Sequence, residues 1–81
     1  MTEKEIQKLG FKKQVVEDLD HSFYYYTLDF RNGLSFISNA NDEVKNEEWF
    51  VEFFDVDPEI FFTEFKEFKT LINLLTKKKI K

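Results

Sequence analysis

His21 is the only imidazole in this 81-residue chain, and there is no cysteine. Nucleophilic catalysis needs a Ser, Cys or Thr held by a base. The one candidate base lies between Asp20 and Ser22 in a polar break, where it reads as a turn histidine. Thiolate zinc sites, redox motifs and disulfide frameworks are excluded by composition. Carboxylates are paired at Asp18/Asp20 and at Asp55/Asp57. Acid–base work needs two carboxyls in a pocket with separated pKa values, whereas both pairs flank turn signals. The oxygens of Asp55-Val56-Asp57-Pro58-Glu59 and Asn39-Ala40-Asn41-Asp42-Glu43 lack the Asp-x-Asp-x-Asp-Gly spacing and the distant bidentate Glu of a calcium loop. Neither Gly10 nor Gly33 sits in a glycine-rich phosphate cradle. The expectation is a non-enzyme with no catalytic residue, metal or cofactor.

What remains is binding chemistry. The net charge is −4, but from Asp42 to Glu59 eight acids face one base, Lys45, a local balance of −7. The four bases in Lys77-Lys78-Lys79-Ile80-Lys81 close the chain. Phosphate contacts need a basic surface larger than one tail, so direct nucleic-acid binding is disfavoured. Tyr24-Tyr25-Tyr26 could stack bases, yet Asp20, Asp29, Glu48 and Glu52 stand where a base-stacking platform carries lysines and arginines. Clustered carboxylates instead offer a basic partner a competitor to nucleic acid. They also serve simply to keep an aromatic-rich domain in solution.

These residues need elements to hold them. The chain is the length of one domain, 1–81, and fifteen of its residues are Phe, Tyr or Trp. With no disulfide, stability must come from packing those rings. Thr2 with Glu5 forms a capping-box signature, and Gly10 falls where a left-handed C-terminal cap belongs, so a short helix is expected over 3–9. A first strand is expected over 11–17. Phe23 to Phe30 reads as a second strand, joined through an Asn32-Gly33 type I′ turn to a third at 34–38. With a two-residue turn, Leu28 lies opposite Ile37. Tyr24, Tyr26, Leu28, Phe30 and Ile37 then share one face, and Phe23, Tyr25, Leu34 and Phe36 the other.

Asn39 to Asn46 reads as a surface loop. A long strand follows over 48–56, with Trp49, Val51 and Phe53 on one face and Phe50, Glu52 and Phe54 on the other. Phe61, Phe65, Phe68, Ile72 and Leu75 have the four-three-four-three spacing of an amphipathic helix that begins at 58 or at 64. The fold class is α+β: an antiparallel sheet of three to four strands, a long C-terminal helix on one face and a short N-terminal helix. One helix covers one face only. The other would expose Phe23, Tyr25 and Phe36, or Phe50 and Phe54, unless the N-terminal helix covers it, and an exposed patch of that size usually marks a partner site. No apolar run reaches the ~20 residues of a membrane span, and Met-Thr-Glu-Lys-Glu lacks the features of a secretory signal, so a cytoplasmic location is expected.

Lys8-Leu9-Gly10-Phe11, Phe23-Tyr24-Tyr25-Tyr26, Asn32-Gly33-Leu34, Ile37-Ser38-Asn39-Ala40-Asn41-Asp42, Trp49-Phe50-Val51-Glu52-Phe53-Phe54 and Leu71-Ile72-Asn73-Leu74-Leu75 together resemble short acidic open reading frames of phages and mobile elements of Bacteroidota. The resemblance spans most of the chain and brings no catalytic residue with it. It implies an inhibitor of host defence, anti-CRISPR proteins that block a nuclease by direct binding among them. The expected function is a non-enzymatic protein-binding module acting on a nucleic-acid-handling partner. Glu47, Glu48, Trp49, Phe50, Glu52, Phe54 and Asp55 are its expected contact residues, the acids steering and the rings anchoring. A homodimer or accessory subunit using the aromatic sheet face, and a small-ligand sensor with an aromatic pocket, are the alternatives.

Overall fold

Thr2 caps the first helix as its spacing predicts. The Glu5 N–H donates to Thr2 Oγ1 (3.2 Å) and the Thr2 N–H to Glu5 Oε1 (2.8 Å), closing the capping box on α1, Glu3–Lys8. Gly10 ends it at φ +96°, a left-handed conformation that L side chains resist. Phe11 then turns inward and is buried. The computed structural model describes residues 1–30, 34–54 and 60–77.

Five antiparallel strands follow in sequence order across one sheet: β1 Lys12–Glu17, β2 Ser22–Asp29, β3 Ser35–Ser38, β4 Val51–Phe53 and β5 Phe61–Phe62. α2, Phe65–Lys77, closes the fold. The architecture is α+β as expected, with one strand more. The added strand comes from residues assigned by spacing to the helix: Phe61 pairs with Glu52 and Phe62 with Val51, so the helix begins at Phe65. The strand expected over 48–56 is shorter, at Val51–Phe53. Trp49 lies outside it because its backbone bonds to Met1: the Trp49 N–H donates to Met1 O (2.8 Å) and the Met1 amine to Trp49 O (2.9 Å).

The hairpin register also differs. Leu28 pairs with Phe36 and Thr27 with Ile37, and the Phe30 N–H donates to Leu34 O (2.7 Å). Three residues separate those paired ends where a two-residue turn was expected; the Asn32-Gly33 turn itself lies outside the described residues. A shift of one residue exchanges faces. Phe36 therefore joins Tyr24, Tyr26, Leu28 and Phe30, while Ile37 moves to the side of Phe23 and Tyr25.

The core forms on the first of those faces. Ile6 of α1 and Phe68 of α2 are both fully buried in one cluster with Phe11, Tyr26, Phe36, Trp49 and Val51. Phe36 is its hub, with ring centroids 4.6 Å from Phe53, 4.9 Å from Phe68 and 5.7 Å from Phe30. Both helices thus pack on the same side of the sheet, and the N-terminal helix does not cover the second face.

Candidate functional site

Strand alternation puts Val16, Phe23, Tyr25, Thr27, Ile37, Glu52 and Phe61 on the second face. None of them belongs to the core cluster or packs against it. They shield one another instead. Val16 is directly opposite Phe23, Ile37 lies between Thr27 and Glu52, and Glu52 lies opposite Phe61. The Phe50 ring meets Phe61 edge-on at 5.3 Å. Phe54 and Phe61 stay 58% and 50% exposed. His21 stacks on Phe23 at one end of this face (6.0 Å), and its Nε2 is 2.9 Å from Asp42 Oδ2. That contact makes it the tether of a turn, the role its sequence position suggests.

The loop between β3 and β4 carries the acids. Its early residues are structural: Asn41 Oδ1 accepts from the Tyr24 N–H (2.7 Å) and Glu43 Oε1 from the Ala40 N–H (3.0 Å). Oxygens that resemble a cation loop in sequence therefore hold backbone. Among the described residues no group of three or more His, Cys, Asp or Glu is placed to hold a metal ion. Further on, the Glu48 N–H donates to Lys45 O (3.1 Å), and Asn46 and Glu47 sit at φ +56° and +58°. Two successive left-handed residues closed by such a bond make a type I′ turn. Sequence reading missed it, because Glu47 is an improbable occupant of that conformation. The turn holds Glu47 and Glu48 out in solvent.

The expected contact residues fall into three groups. Glu47 and Glu48 are exposed on the turn, while Phe50, Glu52 and Phe54 lie on the open face or at its margin. Trp49, expected as an exposed anchor, is 5% exposed: its ring stacks on Tyr24 at 6.1 Å and meets Tyr26 edge-on at 5.6 Å. It is a core residue because alternation turns it toward the helices. Asp55 lies outside the described residues. Phe61, Phe23 and Ile37 were not among the expected contacts, since the first was read as helical and the last was grouped on one face with Tyr24, Tyr26, Leu28 and Phe30.

A half-open groove of about 800 Å³ runs between the chain start, the β3–β4 loop and the start of α2. Its apolar wall includes Trp49, Phe50 and Phe65. Asn39, 8% exposed, also lines it. Asn39 Oδ1 accepts from the Phe50 N–H (3.1 Å). No side-chain nitrogen or oxygen sealed from solvent lacks a partner among the described residues.

Beside the groove, one carboxylate ties α1 to the sheet. Glu3 Oε2 accepts from Tyr26 Oη at 2.6 Å, and Gln7 Nε2 donates to the same hydroxyl at 2.9 Å. Burial, then the bond to Glu3, pushes the Tyr26 hydroxyl up to about 12. Tyr24 is raised as well, chiefly by the nearby Glu3 carboxylate and then by burial, and the Lys13 ammonium lies 3.9 Å over its ring. A hydroxyl held this firmly protonated at neutral pH donates a structural bond and supplies no base.

Comparison of the chain with protein-family models, curated proteins and solved structures finds no match. No helix among the described residues is long and apolar enough to cross a membrane.

Proposed function

We propose that this chain is a non-enzymatic protein-binding module whose docking surface is the open aromatic face of its sheet. The observation that carries the reading is the placement of both helices on one side, which leaves Phe23, Tyr25, Ile37 and Phe61 without a covering layer. Aromatic rings rimmed by charge are the composition of the central part of protein interfaces. The exposed Glu47 and Glu48 of the β3–β4 loop favour a basic partner, because complementary fields raise encounter rates and exclude competitors. Nucleic-acid-handling proteins present such surfaces. The proposal extends to an inhibitor, of the kind mobile elements direct against a host nuclease, acting in the host cytoplasm.

The test is affinity capture from native-host lysate at low and high salt, comparing the wild-type chain with a Phe54→Ser/Phe61→Ser variant. Both substituted rings are exposed, so the variant should keep its circular dichroism and melting profile. A nucleic-acid-binding protein retained by the wild type, lost with the variant and weakened by salt is the expected result. Capture that is identical for the two proteins overturns the docking surface. A concentration-dependent mass abolished by the same substitutions would assign the face to a second copy of the chain.

A further inference from the structure

We infer that β1 is the seam of a homodimer, in which the Lys12–Glu17 strands of two copies pair antiparallel about a two-fold axis at Val15. The edge is open: among the described strands β1 pairs only with β2, and Lys12, Lys13, Gln14, Val15 and Glu17 are all exposed. Hydrogen-bond phase decides which groups it offers. The Asp18 N–H donates to His21 O (3.2 Å) where the β1–β2 hairpin closes. On the β3 side, the Tyr26 N–H donates to Ser38 Oγ (2.9 Å) and the Tyr24 N–H to Asn41 Oδ1 (2.7 Å). Phe23 and Tyr25 therefore bond toward β1, to Val16 and Gln14, and alternation leaves the N–H and C=O of Lys13, Val15 and Glu17 pointing away from the sheet. Unpaired edge groups of this kind are a template for another strand.

Phase and charge together select a second copy as the occupant. Two edges bond only where outward residues meet outward residues, which places Val15 opposite Val15 of the second copy and Lys13 opposite its Glu17. Lys12 then faces Asp18, so opposite charges meet on both sides of the axis. A shift of two residues keeps the phase but sets Lys13 or Glu17 against Val15 and loses those pairs. Parallel pairing in register sets lysine against lysine. Lysine on an edge strand ordinarily deters a neighbour. Here the acids at the far end of the same strand favour a copy running the other way. At the axis the two Val15 side chains, each 59% exposed in one chain, cover one another. β5, the opposite edge, is two residues long and offers no comparable seam. The two-fold axis stands perpendicular to the joined sheets, so both open aromatic faces lie on the same side of one continuous sheet.

The seam is distinct from the open face, so its failure leaves the docking reading standing. Sedimentation equilibrium of the full chain at low salt, from micromolar to millimolar concentration, should show the mass rising toward twice the 9.9 kDa of one chain. Lys13→Glu and Glu17→Lys, both at exposed positions and checked by circular dichroism, should each weaken the dimer about tenfold, because like charges then meet on both sides of the axis. An equimolar mixture of the two variants should restore it, since every charge pair between unlike chains is again opposite. Exchange of the Val15 amide should slow as the mass doubles. A wild type that stays monomeric at millimolar concentration overturns the inference, as does a dimer that neither variant weakens or that the mixture fails to restore. Loss of the dimer with Phe54→Ser/Phe61→Ser, and with neither charge variant, overturns the seam and assigns self-association to the open face.

Discussion

Replacing Tyr26 by Phe isolates the most strongly perturbed ionisation among the described residues. The substitution keeps a ring that is 1% exposed and removes only the hydroxyl that donates to Glu3 and accepts from Gln7. A hydrogen bond to a charged group contributes about 1.5–3 kcal/mol, so the variant should be less stable by that order at pH 8. The pH dependence follows from the raised pKa. Between its ordinary value of 10.0 and the folded value of about 12, the native state holds a proton that the unfolded chain has released. The contribution is fully present below pH 10 and is lost as pH rises through 12, a linkage on the order of 2–3 kcal/mol. The stability difference between the two proteins should therefore shrink toward zero across that window. Denaturant melts of both proteins at stepped pH from about 8 to 11.5 measure it. Lysine deprotonation acts on both chains and cancels in the difference. A difference that stays constant through pH 11.5, or tyrosinate absorbance showing all three tyrosines ionised by about pH 11, would refute the assignment.

Phe68→Ala should leave the chain unfolded at 25 °C. Its ring touches Phe11, Phe36 and Phe62 at zero exposure, a loss of about 3–5 kcal/mol equals the whole margin of a domain this small, and circular dichroism reads the outcome. Glu47→Gly should raise stability by about 1 kcal/mol in a denaturant melt, because glycine adopts the +58° backbone without the strain that glutamate bears. Gly10→Ala should act oppositely, lowering it by about 1 kcal/mol. A methyl group there meets nothing within 4 Å, so the loss measures the +96° backbone alone.

The features legible in the sequence were the local ones. The capping box at Thr2 and Glu5 and the left-handed cap at Gly10 depend on a few adjacent residues and a single backbone conformation, and both stand where the spacing predicts. The alternation of Trp49, Val51 and Phe53 groups them on one face for the same reason, although which face forms the core was left open and only three residues of that stretch pair as β4. Register was not legible, because it is set by pairing between strands. Leu28 opposite Phe36 and Leu28 opposite Ile37 are both apolar pairs, and Phe36 and Ile37 are adjacent residues of similar hydrophobicity. Phe61 was misread for a related cause. It fits the helical stripe of Phe65 and Phe68 by spacing, but its pairing with Glu52 across the sheet outweighs that periodicity. On the open face, alternation grouped Phe50, Glu52 and Phe54 together in advance, whereas the turn at Asn46 and Glu47 was not legible. Trp49 was taken for a surface anchor because its ring contacts with Tyr24 and Tyr26 come from distant parts of the chain.

The open face follows from dimensions as much as from side-chain pattern. Four spacings of about 4.8 Å make a five-stranded sheet roughly 19 Å across. The 13 residues of α2 make a rod about 20 Å long and about 10 Å wide, enough to cross that sheet but not to roof it. The six residues of α1 complete the roof on the same side, where Ile6 joins Phe68 in the core. No helical residue then remains among those described to cover the reverse. A sheet of this width with apolar residues on both sides has two stable outcomes: a polar second face, or a second face that meets another surface. Phe23, Tyr25, Ile37 and Phe61 share that face with Gln14, Thr27 and Glu52, so it is mixed in character, and its apolar part is what the docking proposal builds on. The second outcome is the reason the docking proposal places its first substitutions at Phe54 and Phe61, the exposed rings, and none in the core.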